Sequence, residues 1–238
     1  MLHEDIAAGR QNLSKTHGRV QIEFILEIVE QDVCTIDYTH TYEIQGSGLV
    51  SPLAIGADVT VQGVVTGDFT GVAGTTDFNG FFINDVTGDA DPLTSDGVLV
   101  YYGGTNSAIV IGDVVRVVGK IAEYQNVTEV TSVTSITNCG PATTTIDPIS
   151  IDLPLPVDTN FERYEGMKVT FTDPLIVAQN YFLGRYGQMH LSTERFFNPT
   201  NGQGDTVAEL LGSSFVLEDG LASQNPAPMR YIILSERL

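Results

Sequence analysis

DVTVQGVVTGD (58–68), NGFFIND (79–85), DGVLVYY (96–102), GDVVRVVGKIAE (112–123) and NVTEVTSVTSIT (126–137) follow one another in a single stretch of the chain. Each segment is rich in Val, Ile, Thr and aromatic residues. Each reads at period two, and each is bounded by Gly, Asp or Asn. Side chains on a strand point to opposite faces in turn, so this pattern predicts five short, half-buried β-strands.

Five strands in about 80 residues is the size of a small Greek-key barrel of the OB type, which holds nucleic acid or sugar on one face. The expected fold is therefore all-β: an OB-like five-stranded Greek-key barrel plus a smaller β-rich unit, read as incomplete. The expected boundaries are an unassigned N-terminal segment at 1–33, the OB-like barrel at 34–140, a Pro/Thr linker at 141–160 and a second β-rich unit at 161–238. In the first segment Ile22, Ile25, Leu26 and Val29 share a face at helical spacing, which predicts a short amphipathic helix around 19–31. Residues 34–50 (CTIDYTHTYEIQGSGLV) read as a strand running into a Gly-Ser turn. In the last unit EGMKVTFTDPLIVAQ and RYGQMHLST read as strands and VAELLG as a short helical piece.

The chain has 238 residues, with 11 Lys+Arg against 30 Asp+Glu and a formal net charge of −19. Such a balance repels a phosphate backbone overall, because affinity for nucleic acid comes mainly from cations that neutralise phosphates. The charge is uneven. Residues 41–160 hold 2 Lys+Arg and 14 Asp+Glu, whereas residues 161–200 hold 4 of each together with 8 of the chain's 20 aromatics. Cations interleaved with rings are what a single-strand binding surface uses: bases stack while Arg and Lys hold phosphates. Arg163, Tyr164, Lys168, Tyr181, Arg185, Tyr186 and His190 are the candidate nucleic-acid-binding residues. The bland alternative is that the rings are core and the cations solvated.

Asp85, Asp89, Asp91 and Asp96 crowd the loop DVTGDADPLTSDG (85–97). Carboxylates among Gly and Ser turns are hard oxygen ligands suited to Ca²⁺, although the loop lacks the EF-hand pattern. Asp also caps turns for purely structural reasons. Cys34 and Cys139 flank the predicted barrel. In an exported protein they would form a staple around a loop of about 100 residues, nominally worth ~4–5 kcal/mol; in the cytosol they would be two thiols. The four histidines (His3, His17, His40, His190) are scattered, and no residue has the setting of a serine nucleophile, zinc cage or phosphate-binding glycine loop. Asn126 opens a formal glycosylation sequon. No stretch approaches the ~20 apolar residues of a membrane span, and no export signal is visible at the start.

Several phrases together resemble a known family: EIQGSG (43–48), GFFINDVTGDADPLTSDGVLVY (80–101), GDVVRVVGKIAEYQNVTEVTSV (112–133), FERYEGMKVTF (161–171), NYFLGRYGQMHLST (180–193), NPTN (198–201) and QNPAP (224–228). In order and spacing they resemble the OB-like region upstream of the catalytic domain in secreted bacterial endonucleases of the ExeM/NucH type. Those proteins are metal-dependent endonucleases of the endonuclease/exonuclease/phosphatase superfamily. The resemblance implies an extracellular or cell-surface location. It also implies association with a nuclease domain encoded downstream, the chain reading as a truncated or split product. No catalytic residue is carried over, since no position matches one. The expected function is a non-catalytic accessory module that positions the nuclease domain or weakly binds single-stranded or duplex DNA. The alternatives are a structural or protein-interaction module, and a hydrolase or glycan-binding activity of the chain itself.

Overall fold

The computed structural model describes residues 11–16, 19–24, 32–71, 79–106, 108–156, 159–196, 206–220, 224 and 232–234. The chain divides into two compact units, Met1–Asp37 and Tyr38–Leu238.

In the first unit β1 (Gln11–Thr16) and β2 (Arg19–Phe24) form an antiparallel hairpin, with Thr16 opposite Arg19 and Gln11 opposite Phe24. This corrects the expected helix around 19–31 over its first part. The physical reason is visible in RVQIEF, where Val20, Ile22 and Phe24 alternate strictly with Arg19, Gln21 and Glu23. Period two, β-branched residues and a pairing partner outweigh a helical spacing carried by four positions. Residues 25–31, on which the rest of that expectation fell, lie outside the described residues. A 3-10 turn spans Val33–Thr35, with Asp32 accepting a hydrogen bond from the Cys34 N–H.

The second unit opens with α1 (Thr41–Gln45) where a strand was expected. Thr39 is still extended and bridges to Val61, but Glu43 accepts the His40 N–H at 2.9 Å and starts the helical turn. Then come β3 (Asp58–Phe69), β4 (Gly80–Asn84), β5 (Gly97–Tyr101), β6 (Asp113–Tyr124) and β7 (Val127–Pro141), each overlapping one of the five quoted segments. They form one mixed sheet in the order β3-β4-β5-β7-β6, and β6 pairs back with β3 so that the sheet closes on itself. All its pairings are antiparallel except β5 with β7.

The inward positions follow the predicted alternation. Val59, Val61 and Val65, Phe81 and Ile83, Val98 and Val100, Val115, Val117 and Ile121, and Val130 are buried in one cluster, sealed by Ile44 of α1 and by Ile109. Strong curvature is needed to close five strands, and it comes from bulges. One lies on β6 and β7, where the register slips between Val118 and Lys120. There Gly119 leaves no room for a side chain: a Cβ would stand 2.7 Å from the Thr131 carbonyl oxygen. The β6–β7 connection is a two-residue turn in which Gln125 and Asn126 both have positive φ, at 51° and 63°, as a type I′ hairpin requires.

Part of the expected linker is folded. β8 (Ile149–Ile151) pairs in parallel with β9 (Val169–Phe171), and Ile151 and Leu155 enter a second core with Phe161 and Phe215. A second sheet has the order β10-β11-β12-β13, built from β10 (Ile176–Gln179), β11 (Met189–Ser192), β12 (Ser214–Glu218) and β13 (Ile232–Leu234). Two short helices interrupt it, α2 (Leu183–Tyr186) and α3 (Val207–Ser213). The segment FERY (161–164) forms a 3-10 turn capped by Asn160. No described helix is long and apolar enough to cross a membrane.

Candidate functional site

The seven candidate nucleic-acid-binding residues separate into groups. Tyr181, Arg185 and Tyr186 gather on and beside α2. The Tyr181 ring lies edge-on to Phe182 at 5.0 Å, Phe182 is 5.7 Å from Tyr186, and the Arg185 guanidinium stands over the Tyr186 ring at 5.1 Å. Tyr181 is 81% exposed and Tyr186 43%, so two rings and a cation face solvent together. Gly187, in the left-handed conformation, ends α2 against Asp219, where a Cβ would lie 2.2 Å from the Asp219 carboxyl carbon. That close approach fixes the turn that presents the rings.

Other candidates land elsewhere. Tyr164 packs against the second core, as do Phe161 and Phe171, the latter stacked on Phe215 at 4.5 Å. For these rings the bland reading holds. Lys168 is exposed and reaches the Ile146 carbonyl at 3.5 Å. His190 sits on β11, half-buried, and burial pushes its pKa below the ordinary imidazole value. That shift disfavours the charged ring that an ion pair with phosphate would use. Arg163 lines a cleft of about 290 Å³ together with Gln45, Gly46, Leu49, Leu93 and Asn160.

The four aspartates of the 85–97 loop are engaged in turn chemistry. Asp85 Oδ1 accepts from Thr87 N, Thr87 Oγ1 and Gly88 N. Asp89 accepts from Asp91 N and Thr94 Oγ1, and Asp91 from Leu93 N. Asp96 packs beneath Gly88, and burial first, then its Asp89 and Asp85 neighbours, raise its pKa although the Asp89 N–H opposes this. Among the described residues no group of three or more His, Cys, Asp or Glu is disposed to hold a metal ion. Neither Cys34 nor Cys139 is free; both are disulfide-bonded.

Two constellations were not foreseen from the residues. His40 Nδ1 lies 2.7 Å from Asp85 Oδ2, its ring stacks on Tyr42 at 4.8 Å and 12°, and Tyr38 covers it at 4.8 Å. The Arg116 guanidinium lies 5.9 Å from the Tyr38 ring centre. Burial pushes the Asp85 pKa up, but the hydrogen bonds from Thr87 N, His40 and Gly88 N outweigh it and hold the group below its ordinary value. The period-two spacing of Tyr38, His40 and Tyr42 was the available signal; the 45-residue separation of His40 from Asp85 was not legible.

The second constellation surrounds Glu165, which follows the 161–164 turn. Its Oε1 accepts from the Thr128 N–H at 2.9 Å and from Gln45 Nε2 at 3.2 Å. Thr128 Oγ1 donates in turn to Glu123 Oε1 at 2.6 Å. Burial chiefly, with Glu162 and Glu123 adding repulsion, pushes the Glu165 pKa up to about 8.

No protein-family model matches the chain, and no curated protein or solved structure matches it either.

Proposed function

We propose that the chain is a non-catalytic, OB-like accessory module of an extracellular nuclease, which weakly holds a nucleic-acid strand or positions the nuclease domain. The observation that carries this reading is the solvent-facing group Tyr181, Arg185 and Tyr186, joined through the half-buried Phe182: rings to stack on and a cation beside them. The strand order gives further support. A three-strand meander followed by a hairpin that returns to the first strand is the connectivity of a small Greek-key barrel. The nuclease context rests on the resemblance of several sequence phrases to secreted ExeM/NucH-type endonucleases. With a net charge of −19, binding is weak and confined to the patch. Fluorescence anisotropy with a labelled single-stranded oligonucleotide at low salt tests the reading. Saturation with Kd below about 100 μM supports it; none by that concentration reduces the module to a spacer.

A second reading, a protein-interaction module, is favoured by one observation. Ile176 and Val177 on β10 and Val207 and Leu211 on α3 are all exposed apolar side chains of the later part of the chain. Co-elution with a separately produced nuclease domain, without oligonucleotide binding, would select it.

A further inference from the structure

The segment after the 161–164 turn meets the closed sheet with almost no space between backbones. A Cβ on Gly97 would stand 2.3 Å from the Gly166 carbonyl carbon, and Gly166 itself has φ of +70°. Ser95 Oγ donates to the Glu165 carbonyl, and the Gln45 amide donates both to the Gly97 carbonyl at 2.8 Å and to Glu165 Oε1. At this seam the Glu165 side chain is turned inward, and Thr128 ties it to Glu123 by donating one hydrogen bond to each carboxyl group. Glu123 Oε1 also accepts from Ser51 N, while Glu123 Oε2 is buried with no hydrogen-bond partner.

The charged groups acting on Glu165 are acids. Glu162 lies on its own turn and Glu123 on β6; Glu129 on β7 is itself buried and repelled by Glu123. The donors that reach Glu165 are a main-chain N–H and a neutral amide. Among the described residues, a negative charge here has two hydrogen bonds and no ion-pair partner to offset desolvation and like-charge repulsion.

We propose that Glu165 is a proton-dependent latch: its neutral carboxyl seats segment 161–167 on the closed sheet, and ionisation favours release of that segment. Release also changes the cleft, because Gln45 both lines it and holds Glu165, and Arg163 moves with the segment. The sign follows from linkage. The seated carboxyl ionises at about 8 against an ordinary 4.5, so between these values the closed state keeps a proton that the released state loses. The latch is tightest below the ordinary value, weakens as pH rises and reaches its weakest level above about 8.

Hydrogen exchange of the Thr128 amide, which donates across the seam to the Glu165 carboxyl group, corrected for its intrinsic rate, reads the opening directly. In the parent protein the opening constant should rise by up to roughly tenfold per pH unit between pH ~5.5 and ~8 and then level off. Glu165→Gln, which keeps a neutral group of the same shape, should flatten that dependence. Glu123→Gln removes one like charge, and the levelling point should move to lower pH. A parent protein without pH dependence over this range overturns the latch, as does a Glu165→Gln variant with the parent's slope. Should Glu165→Gln not fold, an unmoved levelling point in Glu123→Gln overturns it equally.

Discussion

His40 Nδ1 meets Asp85 Oδ2 at 2.7 Å, and the Asp85 side chain is fully enclosed while the His40 side chain is 32% exposed. The pair joins the residue just ahead of α1 to the residue just after β4, so one contact fastens the helical turn to the closed sheet. An enclosed carboxylate is tolerable only when donors surround it, and Asp85 has Thr87, Gly88 and His40.

Replacing Asp85 by Ala removes an acceptor that serves all of these donors. Stability should fall by about 2–3 kcal/mol, measured by urea denaturation at neutral pH. The pH dependence has a definite sign. The Asp85 pKa is lowered in the folded chain, so its contribution is present above the ordinary carboxylate value and is lost as pH falls through the folded value. The Asp85→Asn variant should therefore lose less stability than the parent on acidification.

Gly97 and Gly166 approach so closely that any side chain must separate the segments. Gly97→Ala should destabilise the protein by roughly 2 kcal/mol or more, since the obstacle is backbone and cannot rotate away. A thermal melt checks it, with Gly103→Ala as the control because a Cβ there meets nothing within 4 Å.

The loop carboxylates predict a loss independent of metal. Asp89 Oδ1 and Oδ2 both accept from Thr94, and Oδ1 also takes the Asp91 N–H. Asp89→Ala should cost about 1 kcal/mol by chemical denaturation, with the same value in chelator and in millimolar calcium. A cost that appears only in calcium would assign the loop to the ion instead.

Arg185 predicts a salt effect. In anisotropy titrations at several salt concentrations, Arg185→Gln should weaken oligonucleotide binding and reduce the slope of log K against log salt by about one. Tyr181→Ala should weaken binding by about 1–3 kcal/mol with little change of slope, because stacking releases no counterions.

Much of the β architecture was readable because its signal is local. Val59, Val61 and Val65 or Phe81 and Ile83 announce a buried face within a few residues, and Gly, Asp or Asn bounds each quoted segment. The N-terminal hairpin was missed because FILEIV supplies apolar residues at helical spacing beside a strictly alternating RVQIEF. The helical turn at Thr41–Gln45 was missed because its preceding residues are extended and its start is set by Glu43 reaching back to His40. Of the candidate site, the Tyr181, Arg185 and Tyr186 group lies within six residues and could be read directly. Tyr164 could not be told from core, since its environment is made by Ile151, Leu155 and Phe215 from distant segments. Glu165 gave no local sign: its half-buried setting arises where residues 45, 97, 128 and 165 converge.

The measurement that bears most directly on the proposed function is a heteronuclear NMR titration of the ¹⁵N-labelled protein with a short oligothymidine at low salt. The account predicts concentration-dependent shifts centred on residues 181–187, reversed by added salt and absent in Tyr181→Ala/Tyr186→Ala. An unperturbed spectrum at millimolar oligonucleotide, or shifts confined to other surfaces, would contradict it.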